Sequence, residues 1–199
     1  MIDMDKENKM KYRILALFGE SGTGKDTIQK WIVSNLADTK GLVSCTTRPQ
    51  RDYEEDGVDY HFLEADVFAN KIIDGSMLEA TTFNNWFYGT PIEALDKDRI
   101  NVGVFNIQGI ECLLEDSRLD VIPVYVWAPP KERLIRALNR EKNPNCTEVC
   151  RRFLADEKDF DYIPFEDECI FFLNDGEHIS TDAGKQDMVR HILGEFDKI

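Results

Sequence analysis

The sequence lacks any apolar run long enough to span a bilayer. Its opening stretch, Met1–Tyr12, is a mixed-charge polar tail without the apolar centre of a signal peptide. The expected compartment is therefore cytoplasmic, with no membrane partner. Basic charge is scarce: 24 Lys and Arg stand against 38 Asp and Glu, a net charge of −14. A domain this acidic is poorly suited to a nucleic acid polymer, whose phosphates reward a basic face. A disulfide framework is also missing. Five cysteines, odd in number and scattered, fit reduced thiols. Cys146 and Cys150 lie one helical turn apart, without His or Cys partners to complete a zinc set. None of the three histidines has a nucleophile spaced for a catalytic triad. Repeats and low-complexity segments are absent.

What is present is an ordinary globular composition, 42% hydrophobic and 31% charged over 199 residues. That length supports one domain with a sizeable core. The few cations are grouped and can converge on a small polyanion. Arg48 and Arg51 form one group; Lys131, Arg133, Arg136, Arg140, Lys142, Arg151 and Arg152 form another. Apolar patterning predicts strands at 12–18, 42–45, 102–107, 121–127 and 168–173. It predicts helices at 26–37, 64–74, 90–97, 108–115, 130–140, 147–160 and 182–196. Thr90, Pro91 and Glu93 read as a helix start with a capping box. Glu141–Cys146 reads as a loop. The alternation of strand and helix, with continuous apolar runs such as Val121–Trp127, predicts an α/β fold with a parallel sheet between helices. Residues 44–90 break that rhythm, with short strand candidates at 58–62 and 76–83, and read as an inserted lobe.

Directly after the apolar run Ile14–Phe18 comes Gly19, Glu20, Ser21, Gly22, Thr23, Gly24, Lys25, Asp26 and Thr27. A buried strand, a glycine-rich loop, a lysine and a helix in this order cradle phosphates. The glycines let several N–H groups point inward at an anion. The helix offers its positive end to the same anion, and Lys25 supplies a full charge for the outer phosphates. The loop departs from the usual Gly-x-x-x-x-Gly-Lys-Ser/Thr pattern, because Asp26 stands where a hydroxyl is expected.

Two further constellations accompany the loop. The first is Ser44-Cys45-Thr46-Thr47-Arg48-Pro49-Gln50-Arg51, followed by Gly57-Val58-Asp59-Tyr60-His61-Phe62. The second is Met77-Leu78-Glu79, followed by Tyr88-Gly89-Thr90. Guanidinium forks bind phosphate through paired, charge-assisted hydrogen bonds, and Arg48 and Arg51 can converge on one monoester. With the loop, and in this order, the motifs resemble guanylate kinase from about Arg13 to Asp175. The resemblance implies a three-layer P-loop fold with an inserted monophosphate-binding lobe and a lid. The core would comprise 11–43, 91–139 and 153–199, the acceptor lobe 44–90 and the lid 140–152. It implies ATP-dependent phosphorylation of GMP or dGMP with Mg²⁺. Residues 19–27 and Asn174 would bind ATP, and Arg48, Arg51, Tyr60 and Tyr88 would hold the acceptor phosphate. Glu79 would read the base with Ser44, Thr90 and Asn106. Guanine offers two adjacent donors that one carboxylate can accept, whereas adenine presents an acceptor there.

The chain also departs from the family pattern. The family stretch Leu-Asp-Ile-Asp-x-Gln-Gly is here Gly103-Val104-Phe105-Asn106-Ile107-Gln108-Gly109, without either aspartate. Asn106 keeps an acceptor oxygen but no charge, which predicts weaker guanine selectivity. Val104 replaces a carboxylate near the magnesium shell while Asp26 adds one in the loop. Asp26 therefore either takes over the metal or caps the helix. By resemblance, Arg140 and Arg152 are the lid arginines that act with Lys25 and Arg48 on the transferring group, with Arg151 the alternative to Arg152. Other acceptors, such as a different nucleoside monophosphate or a phosphorylated sugar, and a non-catalytic binding module remain open at this point. A signalling GTPase does not fit, since no Asn-Lys-x-Asp segment occurs.

Overall fold

The computed structural model describes residues 11–51, 54–83, 85–140 and 142–176, together with Gly184, Gln186, Asp187, Val189, Arg190 and Gly194. The helix predicted over 182–196 lies mostly outside the described residues.

The chain runs β1 (Tyr12–Phe18), α1 (Lys25–Asn35), β2 (Thr39–Gly41), β3 (Cys45–Thr46), β4 (His61–Phe62), α2 (Ala65–Ile73), β5 (Met77–Phe83) and β6 (Trp86–Pro91). It continues with β7 (Ile100–Val104), α3 (Ile107–Glu115), β8 (Leu119–Trp127), α4 (Pro130–Asn139), α5 (Cys146–Asp159) and β9 (Ile170–Leu173). Five strands form a parallel sheet in the order β2-β7-β1-β8-β9. β1 shows why this sheet needs two covering layers. Leu15 and Leu17 pack with Ile28 and Ile32 of α1. Ile14, Ala16 and Phe18, pointing to the other face, pack with Ile110 and Leu113 of α3. Both faces of the strand are therefore apolar and buried, which is the three-layer α/β arrangement.

The second sheet has the order β4-β3-β6-β5 and is mixed, with β3 parallel to β4 and antiparallel to β6. Phe68, fully buried, fastens α2 to it by stacking on Phe87 at 5.6 Å.

Three elements differ from the sequence pattern. Residues 42–45 do not form one strand: the Leu42 amide still bonds Val102 in the first sheet, while Cys45 pairs with Gly89 in the second. The apolar pattern there records two separate burials joined by a crossing. The helix predicted at 90–97 is also absent. Thr90 and Pro91 belong to β6, and a single 3₁₀ turn, Ile92–Ala94, follows without a side-chain cap. The Thr90 hydroxyl that was to cap a helix lies 3.1 Å from Ser44 Oγ instead. Finally, β7 stops at Val104 because Asn106 caps α3, accepting from the Gly109 amide at 2.8 Å.

Among the described residues no helix is long and apolar enough to cross a membrane.

α4 and α5 meet the main body through a buried cation. Arg133 is 1% exposed and ion-paired with Glu20, itself buried, and with Glu157 at 2.6 Å. Its guanidinium also lies 5.0 Å from the Phe153 ring centre. Removing one partner of a buried pair strands the other charge in a poorly solvated place. Arg133→Ala is therefore expected to lower the unfolding free energy by about 3–5 kcal/mol. Glu157 is 45% exposed, so water can replace part of what it supplies to the buried Arg133 Nη2, and Glu157→Ala is expected to cost less, about 1–3 kcal/mol. Urea unfolding of the two variants checks the contrast.

Candidate active site

The loop at 19–27 joins the C-terminal end of β1 to α1 and wraps the positive end of that helix. Gly22 and Gly24 adopt φ values of +83° and +93°. A Cβ at Gly22 would sit 2.6 Å from the Arg133 carbonyl oxygen, and one at Gly24 would sit 2.6 Å from Asn174 Nδ2. The loop can hold this shape only with hydrogen at those positions. Lys25 Nζ folds back and donates to the Gly19 and Glu20 carbonyls at 2.7 and 2.8 Å. Burial pushes its pKa down; the charges of Asp26, Asp156 and Glu20 oppose this, and that of Arg140 adds to it. Arg140 is exposed at the end of α4.

The loop's side chains divide by burial. Glu20 is buried, pairing with Arg133 and accepting from the Tyr125 hydroxyl at 3.1 Å. Thr23 is buried and donates to the Glu20 carbonyl at 3.0 Å. These two therefore offer an anion their backbone only. Ser21, Asp26 and Thr27 are exposed. The N-cap of α1 is Gly24, so helix capping is not the role of Asp26, which lies in the first turn. Asn174, buried beyond β9, donates to the Thr23 carbonyl at 2.7 Å. Arg136 donates to the Gly22 and Asn174 carbonyls at 3.3 and 3.4 Å.

A second cradle lies in the four-stranded sheet. Arg48 makes a two-pronged bond to Glu54, with Nη1–Oε2 at 3.0 Å and Nη2–Oε1 at 2.8 Å. The Arg51 amide donates to the same carboxylate at 2.9 Å, and its Nη1 lies 3.5 Å from it. Arg48 also lies 5.5 Å from the centre of the Tyr60 ring, which meets Tyr88 edge-on at 6.1 Å. Burial, with the charge of Asp26 adding to it, raises the Tyr60 pKa. Glu54 thus sits where Arg48 and Arg51 converge. Sequence reading did not single it out, although Arg48, Arg51 and Glu54 recur at intervals of three.

Beside this cradle, Glu79 of β5 is 8% exposed and registers with Thr90 of β6. Burial pushes its carboxyl up to about 7, with bonds from Thr90 opposing the rise. A Cβ on Gly109 would lie 3.4 Å from Glu79 Oε2, so the first turn of α3 closes one side. Asn106 is largely committed. Its oxygen caps α3 and its amide donates to Thr81 Oγ1 at 2.8 Å, which leaves one lone pair of the oxygen and one amide hydrogen for a ligand. Val104 packs against the core.

Lys30 of α1 bridges to Asp59 at 2.9 Å, which ties that helix to the segment carrying Tyr60. Arg151 and Arg152 lie on α5 and are both bound by Glu148, at 2.7 and 2.8 Å. Those bonds hold its carboxyl down to about 2. Sequence reading also missed Asp156, whose Oδ2 accepts from the Ser21 amide at 2.7 Å.

The family model described as "Guanylate kinase" matches residues 11–175. The curated guanylate kinase of Maricaulis maris is 33% identical over 166 residues, covering 78% of this chain and 76% of that one. That of Frankia casuarinae is 32% identical over 165 residues, covering 78% and 89%. A crystal structure of guanylate kinase from Anaplasma phagocytophilum superposes with a TM-score of 0.64. It covers 94% of this chain and 87% of the other at 22% identity, a likeness of fold.

The Glu54 geometry carries a pH signature. Burial alone would raise its carboxyl; the Arg48 fork and the Arg51 amide hold it below the usual range instead. A carboxylate held down in the folded state stabilises fully above its unfolded value of about 4.3 and loses that contribution as pH falls through the lower folded value. Glu54→Gln is expected to be less stable at pH 7 and to lose less on acidification. The urea midpoint from pH 7 to pH 2 reads both.

Proposed function

The chain belongs to the guanylate kinase family, and from that premise we propose that it transfers the terminal phosphoryl group of ATP to GMP or dGMP, releasing ADP and the diphosphate. The observation that carries the reading is the buried carboxylate of Glu79, on β5 paired with β6, in the sheet whose β6 also brings Tyr88 against Tyr60, the ring next to Arg48. It supports a base-reading role for Glu79 and a phosphate role for the Arg48–Arg51 fork within one lobe. Guanine's N1–H and N2 amino group suit the two oxygens of Glu79. Adenine leaves that carboxylate facing an acceptor, at a cost of about 1–3 kcal/mol.

The proposed roles are these. Arg48, Arg51, Tyr60 and Tyr88 take the acceptor phosphate, which replaces the Glu54 carboxylate as partner of the arginine forks. Ser44, Thr90 and the remaining lone pair of Asn106 add contacts to the base. The amides of 19–27 take the donor phosphates, and Asn174 holds the loop in shape. Lys25 turns from its own loop carbonyls to the phosphates. Arg140 and Arg152, with 140–152 acting as lid, neutralise the transferring group; Arg152 must then leave Glu148. Phosphoryl transfer asks for such positioning and charge neutralisation rather than a covalent intermediate. The acceptor lobe, 44–90, brings one phosphate in line with the other.

Mg²⁺ bound with ATP would supply charge neutralisation at the phosphates, with Asp26 as the residue of this chain that would help to hold it. Among the described residues no group of three or more His, Cys, Asp or Glu gathers for a metal. Mg²⁺ needs none, since it keeps its waters and takes one or two carboxylates beside phosphate oxygens. Asp26, an exposed hard oxygen donor in the first turn of α1, fits that requirement.

A coupled assay of ADP formation with GMP, dGMP and AMP tests the proposal, and turnover of AMP equal to GMP would refute the base-reading role of Glu79. Because only its carboxylate accepts from guanine, the KM for GMP is expected to fall as pH rises through about 7. Glu79→Gln is expected to remove that component and separate it from titration of the GMP phosphate. Lys25→Ala is expected to lower kcat about a hundredfold or more. Asp26→Ser is expected to raise the Mg²⁺ concentration needed for half-maximal rate; an unchanged requirement takes Asp26 out of the metal shell.

A further inference from the structure

The buried residue of α5 is an aspartate. The helix has apolar candidates, yet Val149 and Phe153 are only partly buried and Leu154 is 64% exposed, while Asp156 is 4% exposed. A carboxylate taken out of water needs strong partners. Asp156 finds one in the phosphate loop, where the Ser21 N–H donates to its Oδ2 at 2.7 Å. Its charge also reaches the ammonium of Lys25. Inward-pointing loop amides and a lysine are the features that make this loop an anion site. Asp156 is thus an anion of the protein's own lodged at the edge of that site.

Two anions cannot use one amide at full strength, and a carboxylate left beside a triphosphate repels it in a site where water screens poorly. We propose that Asp156 is a positioning residue that sets donor affinity: its carboxylate holds the Ser21 amide while the loop is free and must be displaced by the terminal phosphates of ATP. The inference rests on the reading of 19–27 as the ATP loop.

The test compares wild type with Asp156→Asn, which keeps the shape and one acceptor oxygen but removes the charge. Dissociation constants are measured calorimetrically for ATP and for inorganic triphosphate, and KM and kcat are measured with GMP. Both dissociation constants are expected to fall threefold or more. The KM for ATP should fall with them, without a rise in kcat, and the KM for GMP should stay within twofold. Constants within threefold of wild type, or weaker, overturn the proposal and make Asp156 a brace for the loop. Should Asp156→Asn fail to fold, Asp156→Ser is read against the same limits. Inorganic triphosphate keeps this test apart from the kinase reading. If wild type forms no ADP with GMP while the variant still tightens triphosphate, the kinase reading fails and the role of Asp156 stands.

Discussion

Arg133 ties the glycine-rich loop at 19–27 to α4 and α5, the helices followed by Arg140 and carrying Arg152. Its guanidinium lies between Glu20 of the loop and Glu157 of α5. Its main chain leaves Gly22 no room for a side chain. One residue of α4 therefore sets both the charge balance under the loop and its approach to the helix. The loop cannot shift without uncovering a buried cation, and uncompensated burial of charge is among the most expensive errors in a fold. Lys25, Asn174 and Arg136 complete the frame by bonding to loop carbonyls.

The same logic recurs across the cleft. Three of the cations proposed for phosphate have an internal acceptor: Lys25 its loop carbonyls, Arg48 the carboxylate of Glu54, and Arg152 that of Glu148. In a chain of net charge −14 acceptors are plentiful. On the proposed reading, substrate binding is an exchange of partners at these three, in which a phosphate ester replaces a carbonyl or carboxylate. Exchange keeps the cations ordered between turnovers and limits the rotamer entropy lost when the phosphate arrives.

Much of this was legible in advance where the signal is local. The strand–loop–helix at 12–35 follows from an apolar run, three glycines and a periodic stripe, all within two dozen residues. The pairing of sheet and helices follows from burial of β1 on both faces. The pattern misled where one residue type serves two structures. Thr90 and Pro91 look like a helix start, yet the Thr90 hydroxyl lies beside Ser44 and the segment belongs to a sheet. Asn106, proposed to contact the base, also caps α3 with its oxygen and donates to Thr81 through its amide. Capping and ligand binding draw on the same lone pairs, and local sequence does not say which use prevails.

By itself the sequence determined which chemical groups are available and their local form: a glycine loop that must curl, a lysine behind it, paired arginines, and the carboxylate of Glu79 on a strand. Backbone restriction and periodicity act over a few residues, so they can be read along the chain. Only the tertiary structure decided which acid faces which base. Arg133 is buried rather than solvated, Glu54 fills the arginine fork, and Asp156 reaches an amide 135 positions away. Such pairings depend on how distant elements pack, and the energy of a charge depends on its surroundings far more than on its neighbours in sequence.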